Sequence, residues 1–131
     1  MRRVLAVDPG EARIGIAISD PTGVVARPLI VLEHTSRPQD AQAILDLARR
    51  EEADVVIVGL PLDEEGHVGP QARRALRLAD ALRQASSMPV TTWDESGSTQ
   101  AARRGSGKDP MLDARAAAVI LQDYLDAQAQ T

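Results

Sequence analysis

The chain has no cysteine and no phenylalanine, and aromatic residues make up only 2% of its 131 residues. Without cysteine there is neither a disulfide framework nor a thiolate zinc site, and a reducing, cytoplasmic location is expected. Because aromatic residues are so few, the core must be built from Val, Ile, Leu and Ala. That composition favours a buried sheet rich in Val and Ile, covered by helices of Ala and Leu.

Long hydrophobic runs are also missing. No segment approaches the roughly 20 apolar residues that cross a bilayer. The apolar run near the N-terminus, Val4 to Val7, ends at Asp8 and is shorter than the roughly 7–15 apolar residues of a signal peptide. We therefore expect no membrane contact, and the length predicts a single domain over residues 1–131.

A surplus of positive charge, the usual mark of nucleic-acid binding, is absent as well, since the formal net charge is −4. The 15 basic residues, nearly all of them Arg, nevertheless include four adjacent pairs. These pairs are Arg2–Arg3, Arg49–Arg50, Arg73–Arg74 and Arg103–Arg104. Local patches decide such binding more than the total charge does, so a nucleic-acid partner stays open.

Three apolar runs joined by short turns open the chain and predict an antiparallel meander of three strands. In the second run Gly15 and Ala17 alternate with Ile, so we expect another layer of structure to approach that face closely. Pro28 in the third run indicates an edge strand or a bulge. The predicted strands cover residues 3–7, 14–19 and 24–32.

The remainder alternates helices and strands. A helix is expected to begin at Ser36 as N-cap, with Pro38 in its first turn and residues 44–48 supplying its apolar face. Later strands are predicted at 54–59 and 88–93, and later helices at 71–86, 98–104 and 112–128. The order βββαβαβαα predicts an α/β fold, a mixed five-stranded sheet in which the three-strand antiparallel meander is joined by two parallel strands and flanked by helices.

Two sets of polar residues are interpreted as solvated. His34 and His67 lie in a link and a loop, and no zinc site is expected there. Arg73, Arg74 and Arg77 share the polar side of the predicted helix at 71–86. A groove wall or a dimer contact is the alternative for these arginines, but a solvated face is the simpler interpretation.

Acidic residues stand where three predicted elements begin or end. Asp8 follows the first strand, Asp94 and Glu95 follow the last strand, and Asp113 begins the last helix. Singly, each has a structural explanation as a turn residue, a helix-terminal charge or an N-cap. However, ligands gather outside the carboxyl ends of strands in open α/β sheets. Neighbours in a strand point to opposite faces, so at most one of Asp94 and Glu95 can join Asp8.

Together these acids predict an oxygen-rich cluster that suits Mg²⁺ or Mn²⁺. Two such ions roughly 4 Å apart could clamp the attacking and leaving oxygens of a phosphodiester. Gly59 would let a phosphate approach the backbone closely, while Pro61 mainly stops its strand. Arg13 and Lys108 are candidate phosphate contacts, with surface solvation as the alternative for both.

Four segments carry a family resemblance, and they occur in order from residue 4 to about residue 126. They are VLAVDPGEARIGIAISD, VVIVGLPLDEEGHVGPQA, WDESGST and LDARAAAVILQDYL. Together they resemble the YqgF/RuvX family of RNase H-like proteins related to Holliday junction resolvases. The resemblance implies an RNase H-like fold and a metal-dependent endonuclease that acts on Holliday junction DNA or on precursor 16S rRNA.

Carried over to this chain, the family's catalytic and metal-binding acids are Asp8, Glu95 and Asp113, with Mg²⁺ or Mn²⁺ as cofactor and Asp94 in a supporting role. A resolvase must cut two strands symmetrically, so a homodimer is expected if junctions are the substrate. The predicted substrate contacts are Gly10, Arg13, Gly59, Pro61, Ser98, Thr99 and Lys108.

One departure from the family pattern favours a different function. Ser96 and Gly97 stand where the family usually has Arg-Leu, and the loss of that Arg removes a phosphate clamp. Together with the net charge, this keeps open a non-catalytic nucleic-acid- or ribosome-associated module of the same fold. Actin-like ATPases, whose phosphate loop also has Asp-x-Gly before a hairpin, are a weaker alternative because they need two such domains.

Overall fold

The computed structural model describes residues 2–95 and 109–130. The strands there are β1 (Val4–Pro9), β2 (Arg13–Ser19), β3 (Ala26–Glu33), β4 (Val55–Leu60) and β5 (Val90–Asp94). The helices are α1 (Arg37–Arg50), α2 (Pro70–Ala85) and α3 (Leu112–Ala129). The helix predicted at 98–104 lies outside the described residues. Within the two described ranges, no helix is both long and apolar enough to cross a membrane.

The strands form one mixed sheet in the order β3-β2-β1-β4-β5. β2 pairs antiparallel with both β1 and β3, whereas β4 pairs parallel with both β1 and β5. β3 is an edge strand, and the register of its pairing with β2 shifts where Ala17 meets Pro28. Both alternatives for Pro28 are therefore realised. The predicted α/β fold is confirmed.

Local sequence patterns predict the N-cap of α1 and most of the buried residues of α2. The Ser36 side chain accepts a hydrogen bond from the backbone N–H of Gln39 at 3.3 Å, which confirms it as the N-cap of α1. The sequence spacing in α2 predicts a buried stripe of Ala72, Ala75, Leu76, Ala79 and Leu82. Four of these residues are buried, whereas Leu78 is buried in place of Leu76, which is partly buried.

Helices α1 and α2 cover one face of the sheet, and α3 covers the other. On β1, Leu5 and Val7 pack against α1 and α2, whereas Val4 and Ala6 pack against α3. Because side chains alternate along a strand, Asp8 lies on the α3 face. Its side chain is nearly inaccessible to solvent, with 2% exposed. The register of β1 therefore puts a buried carboxylate under α3.

The first turn of α3 crosses β2 directly over Gly15. A Cβ atom at Gly15 would lie only 1.9 Å from the carbonyl oxygen of Asp113 and 2.9 Å from the backbone nitrogen of Ala114. Gly15 is also the pairing partner of Asp8 across the two strands. The expectation that another layer approaches this glycine closely is confirmed, and that layer is the backbone of α3.

Replacing Gly15 with Ala should destabilise the protein, because the helix backbone must retreat from the sheet. We expect a loss of about 3 kcal/mol in the free energy of unfolding, the upper end of overpacking effects, measured by urea denaturation. Gly69→Ala is the matched control, because nothing lies within 4 Å of a Cβ built there. It should cost less than about 1 kcal/mol, the scale of an N-cap change. Equal losses would contradict the close approach.

Candidate active site

Two buried carboxylates lie at one edge of the sheet. β1, β4 and β5 are parallel and end at the same edge, where Asp8 lies in β1 and Glu95 comes directly after β5. The backbone N–H of Glu95 donates to the carbonyl oxygen of Leu60 at 3.1 Å, which continues the pairing of β5 with β4. Glu95 is 4% exposed, whereas Asp94 is exposed. Burial therefore separates these adjacent acids, as alternation along a strand predicts.

Gly59 of β4 separates the two buried acids. Asp8 and Gly59 follow the paired residues Val7 and Val58, so they are neighbours across β1 and β4. Gly59 pairs with Trp93 of β5, so the backbone of Glu95 lies two strand spacings from Asp8, about 9.5 Å across the sheet, and two residues farther along the strand direction. A Cβ atom at Gly59 would lie 2.9 Å from Oε2 of Glu95. The Glu95 carboxylate therefore covers β4, in the gap between its own strand and Asp8.

Asp113 approaches the same edge from above. It lies in the first turn of α3, over Gly15, the strand neighbour of Asp8. Its Oδ2 accepts a hydrogen bond from Nε of Arg13 at 2.9 Å, and the two side chains are 24% and 61% exposed. The N-cap of α3 is Met111. The alternative interpretation of Asp113 as the N-cap was therefore wrong, although an acid in the first turn still suits the helix dipole.

Asp109 anchors the start of α3. Its carboxylate accepts hydrogen bonds from Nε of Arg115 at 2.7 Å and from the backbone N–H of Met111 at 2.9 Å. The Arg115 guanidinium, followed by the Met111 N–H, holds the pKa of Asp109 below its ordinary value. These contacts restrain the turn that carries Asp113 over the sheet.

The site offers oxygen donors of the kind that Mg²⁺ and Mn²⁺ prefer. Asp8, Glu95 and Asp113 share one edge and one face of the sheet, and burial of the first two makes their negative charge costly unless cations balance it. Within residues 2–95 and 109–130, however, no three His, Cys, Asp or Glu side chains are close enough to hold a metal ion. The chemistry of these donors therefore fits a divalent cation.

The predicted substrate contacts fall in several places. Gly10 and Arg13 close the turn between β1 and β2, where the N–H of Gly10 donates to the carbonyl oxygen of Arg13 at 2.9 Å. The space beside Gly59 is taken by the Glu95 carboxylate, and Pro61 follows β4. A role for these four residues in contacting substrate stays a prediction. Ser98, Thr99 and Lys108 lie outside the described residues, as do Ser96 and Gly97.

Sequence reasoning missed two features near this edge. His34 is exposed, as expected, and its Nδ1 is in addition hydrogen-bonded to the carboxylate of Asp40, which is 5% exposed. Arg74 was interpreted as part of a solvated face, but its Nη1 is buried, whereas Arg73 and Arg77 are exposed as predicted. The burial of Nη1 depends on how α2 packs beside the β1–β2 turn, which the helical pattern does not signal.

A family model for RuvX, described as Holliday junction resolvase, matches residues 2–127. The chain belongs to the YqgF/RuvX family. A curated relative from Roseiflexus sp. is 39% identical over 96% of this chain and 95% of its own length. A relative from Thermoanaerobacter pseudethanolicus is 34% identical over 96% of this chain and 97% of its own length. Both relatives bear the name "Putative pre-16S rRNA nuclease".

Solved structures agree on the fold. The structure of T. thermophilus RuvC in complex with a Holliday junction substrate is similar with a TM-score of 0.62 and 15% identity, covering 98% of this chain and 96% of that one. The fowlpox virus resolvase bound to Holliday junction DNA is similar with a TM-score of 0.56 and 14% identity, covering 96% and 98%. At these identities the likeness shows the RuvC-like RNase H fold alone, and it confirms the predicted fold class.

The position of the Glu95 carboxylate over Gly59 can be tested by a double-mutant cycle. Gly59→Ala should cost about 1 kcal/mol of unfolding free energy, because Glu95 and the Ile120 side chain must give way. In a Glu95→Ala background that cost should fall by about 0.5 kcal/mol or more, whereas an Asp94→Ala background should leave it unchanged. Additivity in both backgrounds, measured by urea denaturation, would show that Glu95 does not cover this glycine.

Proposed function

We propose that this YqgF/RuvX protein is a metal-dependent endonuclease that hydrolyses phosphodiester bonds through Asp8, Glu95 and Asp113. The observation that carries the proposal is the burial of Asp8 and Glu95 at one strand edge, on either side of a glycine. Membership of a family of RuvC-type nucleases supports the same activity. Retention of all three acids favours the enzyme over a non-catalytic module of the same fold.

The order of the strands indicates where the three acids lie relative to one another. Asp8 is central, because one strand neighbour is Gly15, under Asp113, and the other is Gly59, under Glu95. Asp8, Glu95 and Asp113 would therefore hold the divalent ions, with Asp8 in the central position. When bound, such ions supply a nucleophile from water and stabilise the charge of the leaving oxygen. Gly15 admits the backbone of α3 and Gly59 admits the Glu95 carboxylate, so both acids can approach Asp8.

Precursor 16S rRNA is the better supported of the two substrates. Curated relatives at 34% and 39% identity bear that name, whereas the structures with junction DNA are only 14% and 15% identical. Holliday junction DNA remains the second candidate, because the family description names it. A homodimer, a single domain over residues 1–131 and a cytoplasmic location stay predictions.

The activity is tested by incubating the purified protein with Mn²⁺ or Mg²⁺ and either a precursor 16S rRNA fragment or a synthetic four-way junction. We expect cleavage of the RNA. Asp8→Asn keeps the size of the side chain and removes its charge, so it should lower the rate by at least about a hundredfold, beyond the usual effect of changing a residue that only orients a metal ligand. Gel analysis of end-labelled substrates provides the measurement.

Asp94→Asn is the matched control for that experiment, since Asp94 is adjacent to Glu95 in sequence but exposed. It should cleave within a few-fold of the wild type. A wild-type protein that binds RNA or junction DNA without cleaving either would instead favour the non-catalytic module. Cleavage by Asp8→Asn at the wild-type rate would remove this residue from the mechanism.

The ion pair between Arg13 and Asp113 should compete with metal binding. Arg13→Gln removes a cation that holds one of the donors, so we expect Mn²⁺ to bind about two- to fivefold more tightly, the scale of an exposed ion pair. Isothermal titration calorimetry measures this affinity. Arg49→Gln is the control, because it breaks an exposed ion pair with Asp46 on α1 and should leave the affinity unchanged. Weaker Mn²⁺ binding by Arg13→Gln would contradict the competition.

A further inference from the structure

Arg74 extends from α2 to the turn between β1 and β2. Its Nη1 is buried, yet it donates no hydrogen bond to any atom of the described ranges, 2–95 and 109–130. Buried polar groups almost always have partners, and a charged donor left without one requires an explanation. The exposed arginines of the same helix, Arg73 and Arg77, are solvated and pose no such question.

Two neighbouring cavities, each of about 310 Å³, flank this side chain. Both are lined by Arg74 and by Pro9 and Gly10 of the β1–β2 turn. The first is also lined by His34, Arg37 and Asp40, and the second by Arg13 and Asp113. Arg74 therefore lies where a groove leads from the proposed catalytic edge, around the turn, to the α1–α2 side of the sheet.

Positive charge prevails in the first cavity. Arg37 and Arg74 both line it, and the carboxylate that also lines it, that of Asp40, is 5% exposed. The Asp40 oxygens already accept hydrogen bonds from Nδ1 of His34 and from the backbone N–H of Thr35 at 3.1 Å. The Arg74 side chain, one guanidinium donor of which has no hydrogen-bond partner in the described ranges, therefore lines a cavity that suits an anion. The planar fork of a guanidinium matches phosphate oxygens in particular.

We propose that Arg74, with Arg37, forms a phosphate subsite that takes a backbone phosphate of the nucleic-acid strand next to the bond that is cleaved. This inference rests on the proposed nuclease function. Phosphate contacts position a nucleic acid without reading its sequence. A phosphate contact at Arg74, beside the cleaved bond, would hold the strand in place over the three carboxylates. Inorganic phosphate has the same chemistry and should enter the same cavity.

The first test uses thermal unfolding of the metal-free protein with and without inorganic phosphate. Phosphate should raise the melting temperature of the wild type, because it binds only the folded state, and should not raise that of Arg74→Gln. Without phosphate, Arg74→Gln should melt no lower than the wild type, because an unsatisfied buried charge is removed. A lower melting temperature for the variant in phosphate-free buffer would indicate a structural role and overturn the proposal.

The second test measures binding of a fluorescent single-stranded oligonucleotide by anisotropy, without divalent metal and in an Asp8→Asn background that prevents cleavage. Adding Arg74→Gln should weaken binding about tenfold. It should also lower the slope of log Kd against log salt by about 0.7, the value for one phosphate contact on a single strand. Arg77→Gln is the matched control on the same helix and should change the affinity less than about twofold.

A single neutral methylphosphonate, moved along the oligonucleotide, distinguishes a backbone phosphate from a free one. At one position it should weaken binding of the Arg74-containing protein and have no effect on the Arg74→Gln protein. Equal effects of Arg74→Gln and Arg77→Gln would show general surface attraction, and inorganic phosphate binding without any effect on the oligonucleotide would show a free-anion site. Either result would overturn the strand-binding proposal.

These outcomes separate the subsite from the nuclease activity. If the wild type cleaves neither substrate while oligonucleotide binding still depends on Arg74, the proposed activity fails and the subsite stands. If the wild type cleaves while Arg74→Gln binds and cleaves as the wild type does, the subsite fails and the activity stands.

Discussion

The packing of the first turn of α3 on β2 at Gly15 is the contact on which the candidate site depends. Because no side chain separates the helix backbone from the sheet there, Asp113 is held above the strand pair that contains Asp8. Gly59 makes a corresponding space on the other side, and the Glu95 carboxylate occupies it. Asp8 thus lies between Gly15 and Gly59. The space at Gly15 lets Asp113 approach Asp8, and the space at Gly59 lets Glu95 do so.

The two faces of the sheet serve different purposes. The face under α1 and α2 is filled with Val, Ile and Leu, which stabilise the fold through burial of apolar area. Near the strand ends, the face under α3 carries small residues and carboxylates, and there Trp93, the pairing partner of Gly59, meets Tyr124 edge to face at 5.3 Å. The acids of the candidate site therefore lie on the α3 face, and the larger apolar cluster lies on the opposite face.

The net charge of −4 and a nucleic-acid partner are compatible in this arrangement. Arginines line the cavities around the β1–β2 turn, next to the edge that holds the acids. Potential at a cleft depends on nearby charges more than on the total. Arg13, Arg37 and Arg74 thus supply positive charge around this turn although the chain as a whole is acidic.

The sequence alone was enough to predict every strand and helix of the described ranges, because alternation, turn residues and capping act over a few neighbouring positions. It also separated Asp8, Glu95 and Asp113 from the other acids, partly through family resemblance. Only the tertiary structure decided that Glu95 covers Gly59, that Asp113 pairs with Arg13, and that Nη1 of Arg74 is buried beside a turn more than 60 residues away in the chain. Such contacts join residues that are far apart in the chain and depend on how elements pack across the sheet. No local sequence pattern can therefore predict them.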